Sequence, residues 1–374
     1  MYRSFITRVL STALLVFLIP LALSEFLRGR FSEFEAADIA AIQAKSPDAL
    51  YLSGLDQDVS GYKLELTKLR RPDIVVIGSS RAMQVRSEFL NGTLVNWGGV
   101  ARTIGQLHWA AQEIVELKNK PKVALVFLDP WWFNERYLDG RDIFVLREQR
   151  VGNVFRTTYV LGNRALRHGI ATRPDRLGMA AIQSNQGYDG DGTFHYLARV
   201  TGVEKTEDVN FRRTLRMIGA QEDRFVGSDE PNPYAIKRWH EIRALLEKNG
   251  IKVVAIVAPM APSAIDLMRK NGKHTLYFAL ARMLGSDIAD FIDPTAFAGA
   301  DNCEFLDGFH GGEVSYARML VTLAQQRPDI SSAINTDFLR GFVKENSGLT
   351  SPITIKKYGG GKHEVDFGGH GCKR

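Results

Sequence analysis

Ser80, Asp307 and His310 are the residues of this chain whose types and surroundings could do chemistry together. Ser80 sits in Gly78-Ser79-Ser80-Arg81, directly after the apolar run Asp73 to Ile77, and Asp307-Gly308-Phe309-His310 stands just before the last long helical pattern. A serine hydroxyl attacks a carbonyl only when a general base takes its proton and a third group orients that base. A D-x-x-H pair on a turn can set a carboxylate beside an imidazole, with Gly308 allowing the tight bend. The three residues thus supply a nucleophile, a base and an orienting carboxylate in the chain order Ser, Asp, His. Each motif alone has a plain reading, a loop serine or a turn with a solvated histidine. Only their joint placement argues for a triad.

A site split between residues 80 and 310 needs a scaffold that brings strand ends together. Asp73 to Ile77 and Lys122 to Leu128 are short, continuous apolar runs of the kind that parallel strands make when both faces are buried. Leu94 to Asn96 gives another strand, and helical patterns fall at Ala82 to Leu90 and Ile104 to Leu117. The same rhythm resumes with helix Ala235 to Asn249, strand Lys252 to Ala258, helix Ala264 to Asn271, strand Asp290 to Asp293 and helix Val314 to Gln325. This alternation predicts an α/β fold, a flavodoxin-like three-layer sandwich around a central parallel sheet. Ser80 and His310 then fall at its first and last strand-to-helix junctions, where open α/β sheets place ligands. Residues 135–233 lack a strong strand signal and read as a large, partly helical insertion or lid. Residues 31–70 read as a stalk or an entry helix, 71–335 as the main domain and 336–374 as a flexible tail.

These motifs resemble the SGNH/GDSL hydrolase superfamily, whose first block is Gly-x-Ser after the first strand and whose last is D-x-x-H before the final helix. Asp129-Pro130-Trp131-Trp132-Phe133, together with Gly78-Ser79-Ser80 and Asp307-Gly308-x-His310, is similar to the membrane-anchored acyl-transfer branch that includes the D-alanine transfer protein of the lipoteichoic acid pathway. The resemblance implies Ser80 as nucleophile, His310 as base and Asp307 as its orienting partner, with Ser79 where commoner members carry Asp. It also implies an oxyanion hole. Asn96, Trp97 and Gly98 match the start of the second block, but Ala101 replaces its final Gly, and the third block's Gly-x-Asn-Asp is absent. Ser80, Gly98, Gly99, Ala101 and Asn134 are the candidate donors. Trp131 and Trp132 fit either core packing or a sugar platform, and Arg81 fits either an anion-steering role or an ordinary salt bridge. By the same resemblance, the expected activity is O-acyl transfer or ester hydrolysis on an acylated envelope glycan or glycolipid, with a multi-pass membrane acyltransferase as partner. The alternative is a non-catalytic assembly or glycan-binding factor. No cofactor is implied.

Composition sets the outer limits. The chain has 374 residues, 45% of them hydrophobic, with 48 Lys and Arg against 42 Asp and Glu. That is enough apolar sequence for a sizeable core and excludes disordered, collagen-like and disulfide-scaffold classes. The basic residues alternate with acidic ones, so nucleic acid is not the favoured partner. Val9 to Leu23 is an uncharged apolar run with Arg3 and Arg8 before it and Glu25, Arg28 and Arg30 after it. An uncleaved membrane anchor within residues 1–30 is favoured over a signal peptide cut after Ala22-x-Ser24, and either places the bulk of the chain outside the cytoplasm. Cys303 and Cys372 could pair in an oxidising compartment. His108, His195 and His240 lack metal-ligand spacing.

Overall fold

The computed structural model describes residues 2–55, 59–137, 154–170, 172–197, 208–297, 299–359 and 369–371. The remainder of the expected insertion, residues 138–153, 171 and 198–207, lies outside the described residues, as do 360–368 of the expected tail.

Five parallel strands form the central sheet: β1 (Ile74–Gly78), β2 (Leu94–Gly98), β3 (Val123–Leu128), β4 (Lys252–Val257) and β5 (Ala289–Asp290). Their order is β2-β1-β3-β4-β5, a doubly wound arrangement whose chain direction switches beside β1. Alternation along the strands divides the core into two layers. Val75 and Ile77 point into one cluster with Trp97, Leu107 and Trp239, whereas Ile74 and Val76 point into the other with Phe89, Phe127 and Leu320. Both faces are therefore dry, which is why these strands read as unbroken apolar runs. Helices Ile104–Glu116 and Pro233–Lys248 cover the first face, and Glu313–Gln326 and Thr336–Asn346 the second.

Several elements differ from expectation. Residues 82–90 are not a continuous helix but two short 3₁₀ turns, Ser80–Ala82 and Ser87–Phe89. The buried Asn96 side-chain amide takes the carbonyls of Ala82 and Val85, both at 3.0 Å, and so removes acceptors that a helix would need. Residues 31–70 are no free stalk: Ile39, Ala40, Tyr62 and Leu66 belong to the first core cluster. Leu50–Tyr51 even enters a second, four-stranded sheet with Arg176–Leu177, Gly187–Tyr188 and Phe194–His195 from the insertion. The start of the expected tail is ordered as well. Thr354 is buried against Glu313, Arg86 and His195, with Oγ1 donating to Glu313 at 2.6 Å. Cys303 is engaged in a disulfide, and Cys372, the only other cysteine of the chain, lies outside the described residues.

At the N-terminus, helical segments Tyr2–Ala13, Leu14–Leu18 and Ile19–Phe31 follow one another without a break. The middle segment is a wide π turn placed just before Pro20, whose missing N–H would otherwise interrupt the ladder. Here an 18-residue window has a mean hydropathy of 2.1 and no fully buried residue, so the helix is long and apolar enough to cross a bilayer.

A buried lysine gives a pH-dependent prediction. Lys63 Nζ donates to the Asn96 carbonyl at 2.7 Å and to the Gly192 carbonyl, over the face of Tyr188. Burial drives its pKa down to about 7, against the pull of Asp191 and Asp189. The unfolded chain thus holds more protons on this amine between pH 7 and its ordinary value near 10.4, so its contribution to stability rises with pH across that window. Urea denaturation at pH 7 and pH 9.5 is expected to show a rise in the wild type that shrinks in Lys63→Met. An equal rise in both would refute the assignment.

Candidate active site

The site forms at the carboxyl ends of β1, β3 and β4. Leaving β1, Ser79 accepts the Arg81 amide at 3.1 Å and caps the turn that displays Ser80. Ser80 Oγ lies 2.7 Å from His310 Nε2, and His310 Nδ1 lies 2.7 Å from Asp307 Oδ2. Asp307 Oδ1 also accepts the amides of His310 at 2.8 Å and Phe309 at 3.0 Å, so one carboxylate fixes both the turn and the ring. Burial disfavours its charge, but His310 and these hydrogen bonds together outweigh burial and hold the Asp307 carboxyl below the usual range. An ionised Asp307 is the acceptor for Nδ1–H, which assigns the lone pair to Nε2, facing Ser80.

Gly308 is needed for a different reason from the bend that the sequence suggested. Its φ is not positive; instead a Cβ there would meet Thr214 Cγ2 at 2.4 Å and Thr214 Cβ at 2.6 Å. Thr214 opens the helix Arg212–Ala220 of the insertion, and Asp208 bonds both the Thr214 hydroxyl, at 2.6 Å, and the Gly308 amide, at 3.2 Å. The insertion therefore braces the turn that carries Asp307 and His310. Gly308→Ala must push these segments apart, and a displacement near 1 Å in a catalytic group can cost roughly a hundredfold in rate. Steady-state ester hydrolysis is expected to fall by at least tenfold in this variant while the far-ultraviolet dichroism stays native. A wild-type rate would show that the turn adapts.

The candidate oxyanion donors are largely committed elsewhere. The Gly98 amide donates to Asn96 Oδ1 at 2.6 Å, the Gly99 amide to the Gly78 and Ser79 carbonyls at 3.1 and 2.9 Å, and the Ala101 amide to the Gly78 carbonyl at 3.1 Å. Asn134 is buried, with Nδ2 on the Val226 carbonyl and Oδ1 on the Arg136 amide. These four residues are corrected from donors to parts of the scaffold, because their N–H groups already serve the loops that shape the site. Among the described residues, the Ser80 amide has no protein acceptor. It remains as a donor toward a developing charge.

Arg81 and the tryptophans also take structural places. Arg81 is fully buried: Nη1 pairs with Asp129 at 3.1 Å, Nη2 donates to the Ala258 and Pro259 carbonyls, and Nε donates to the Phe309 carbonyl at 3.0 Å. It cannot steer a ligand from there, but it fastens the ends of β1, β3 and β4 to the Asp307–His310 turn. Trp131 and Trp132 are 4% and 6% exposed and form no open sugar platform. Two guanidinium groups lie over the Trp131 ring, with Arg81 Cζ 5.4 Å and Arg224 Cζ 5.3 Å from its centroid.

A cleft of about 290 Å³ opens over Ser80 and His310, and its far wall comes from the insertion: Asp208, Arg213, Thr214, Met217, Asp223 and Arg224. Arg224 also lies 4.6 Å over Phe309, next to His310. In the sequence, the arginines of this insertion are interspersed with Asp and Glu and look like a solvated face. The usable signal was the spacing of Thr214, Met217 and Ile218, the buried face of a short amphipathic helix that presents the neighbouring Arg213 to the cleft. No group of three or more His, Cys, Asp or Glu side chains among the described residues could hold a metal ion. In comparison with known proteins, no family model, no curated sequence and no solved structure matches the chain. Chemical inference therefore rests on the geometry of Ser80, His310 and Asp307.

Proposed function

We propose that this chain is a membrane-anchored, extracytoplasmic serine O-acyltransferase or esterase of the SGNH/GDSL type, acting on acyl groups of an envelope polysaccharide or glycolipid. One observation carries the reading: an unbroken Ser80–His310–Asp307 line, with 2.7 Å at each step, at the floor of a cleft beside the topological switch point. Ser80 Oγ attacks the acyl carbonyl carbon as its proton passes to His310 Nε2. The resulting oxyanion faces the Ser80 amide, with the positive charge of Arg224 on the same cleft. Collapse breaks the ester C–O bond, and the departing alkoxide takes the proton from His310. A sugar hydroxyl or a water then attacks the acyl-enzyme, giving its proton to His310, which passes it to Ser80 Oγ as the acyl C–Oγ bond breaks. Transfer prevails over hydrolysis to the extent that the cleft excludes water.

Anchoring is supported by how the helix Ile19–Phe31 meets the domain. Ser24, Leu27 and Phe31 are buried, the last two in one cluster with Leu161, Met179 and Ile182. Cutting after Ser24 would remove the helical turn that leads into this contact. A multi-pass membrane acyltransferase is the partner that would deliver the acyl group across the bilayer. The second reading, a non-catalytic assembly or glycan-binding factor, is favoured by the committed amides of Gly98, Gly99 and Ala101. A fluorophosphonate probe separates the two. Labelling on Ser80, lost in Ser80→Ala, supports the enzyme; no labelling of folded protein supports the binding factor. Mass spectrometry of envelope glycans with and without the protein would then identify the acyl group.

A further inference from the structure

The insertion carries a helix, Val154–His168, that the site does not use. One face packs on the N-terminal helix: Leu161 is fully buried with Leu27 and Phe31, and Gly162 lies against Leu27. Thr158 Oγ1 donates to the Pro20 carbonyl at 3.1 Å. Pro20 is inside the apolar run Val9 to Leu23, about 4.5 Å before its end at the helical rise of about 1.5 Å per residue. Contacts at 158 with 20 and at 162 with 27 mean that the two helices run in the same direction. The start of Val154–His168 therefore sits at the depth of the apolar run, and its end lies farther out.

The outer face of this helix is aromatic at its deep end, where the exposed Arg156 turns its guanidinium back to the Leu55 carbonyl at 3.4 Å. Tyr159 is 72% exposed, and Phe155, one turn earlier, is also exposed, as is Phe26 on the neighbouring helix. Toward the outer end come Leu166, Ile170 and the exposed Arg167 and His168, with Arg30 on the N-terminal helix. Aromatic groups at the deep end, with Arg167 and His168 two to three turns above Tyr159 and Arg30 about one turn above Phe26, match the boundary between acyl chains and anionic headgroups.

We propose that Val154–His168 is a second membrane contact, an interfacial helix docked on the anchor that seats the acyl chain–headgroup boundary of an anionic phospholipid bilayer at Tyr159. The proposal rests on the anchor reading above, but not on the chemistry of Ser80. It fixes the tilt of the domain, since a single helix leaves the domain free to swivel and a helix pair does not.

The test uses the full-length protein in protein-free liposomes of phosphatidylglycerol and phosphatidylethanolamine, with its native disulfide left oxidised. A nitroxide is attached in Tyr159→Cys, in Leu166→Cys and in Lys237→Cys as an exposed reference far from the anchor. Collision with oxygen, relative to collision with a water-soluble nickel chelate, is expected to be several-fold higher at 159 than at 237, with 166 between them. Retention through an alkaline carbonate wash, with an intact N-terminal mass, reports the anchor separately. A retained protein whose label at 159 meets the nickel chelate as freely as that at 237 overturns the proposal alone. Release by carbonate overturns both the anchor and the proposal. A label at 159 shielded from both reagents in native membranes, but open to the nickel chelate in liposomes, would assign the face to a protein partner and overturn the lipid reading.

Discussion

Ser80→Ala is expected to lower turnover of a chromogenic short-chain acetyl ester by at least about a thousandfold, since removal of any member of a serine triad leaves only what binding and oxyanion contacts supply. His310→Ala should fall to the same floor, and the double variant no lower, because nucleophile and base act as one unit. Asp307→Asn tests the finer point. An amide at that position can donate as well as accept, so it ceases to hold the Nδ1–H tautomer that leaves Nε2 free for Ser80; a loss of about four orders of magnitude is the precedent for such a change. All three side chains are within 2.7 Å of their neighbours in the line, so alanine also leaves the remaining polar groups in place. Equal residual rates for wild type, Ser80→Ala and His310→Ala would dispose of the serine mechanism.

Arg81→Met should be the most destabilising single change near the site. Methionine roughly fills the volume but removes every hydrogen bond from the guanidinium to Asp129, Ala258, Pro259 and Phe309. Burial already pushes the Asp129 carboxyl upward in pKa, and Arg81 is the chief influence opposing it. Breaking one partner of a buried pair typically costs about 3–5 kcal/mol, because the other charge stays in a dry site. Arg81→Lys should recover only part of this, since one ammonium cannot reach acceptors spread across the planar fork of an arginine. The check is urea denaturation of both variants alongside Arg81→Met/Asp129→Leu. If the double variant is no more stable than Arg81→Met, the stranded carboxylate is not the source of the loss. Wild-type stability of Arg81→Met would remove the fastening role altogether.

The central sheet was readable because its strands are buried on both faces, so Val, Ile and Leu run together in Ile74 to Ile77 and Val123 to Leu128 without the alternation of a one-sided sheet. Ser80, Asp307 and His310 were readable for a related reason: strand ends and tight turns leave punctuation such as Gly78 and Gly308. What surrounds them left little trace. The backbone donors at Gly98, Gly99 and Ala101 were misplaced because an amide's partner depends on loop geometry rather than residue type. Arg81 and Trp131 carry charge and aromatic surface that suit a ligand equally well, and only tertiary packing decides that each holds the other. Residues 31–70 looked like a stalk or an entry helix because their apolar positions are interleaved with polar ones and make no strand-like run, yet Tyr62 and Leu66 are among the most buried of the first core cluster. The insertion was hardest. Its arginines are scattered among its apolar anchors, so the face that closes the cleft resembles any solvated surface.

Ser80 and His310 meet across 230 positions of chain, and the buried network around Arg86 closes only when Thr354, 268 positions later, arrives. Contacts of such separation carry a large loop-closure cost and form late. A chain made N-terminus first therefore holds nucleophile and base apart until synthesis nears its end, and its apolar strands wait uncovered through that time. Ser80 and His310 are kept from meeting before then by topology alone. Truncation of the last thirty or so described residues is expected to undo the packing around Arg86 and Glu313, although none of those residues belongs to the Ser80–His310–Asp307 line.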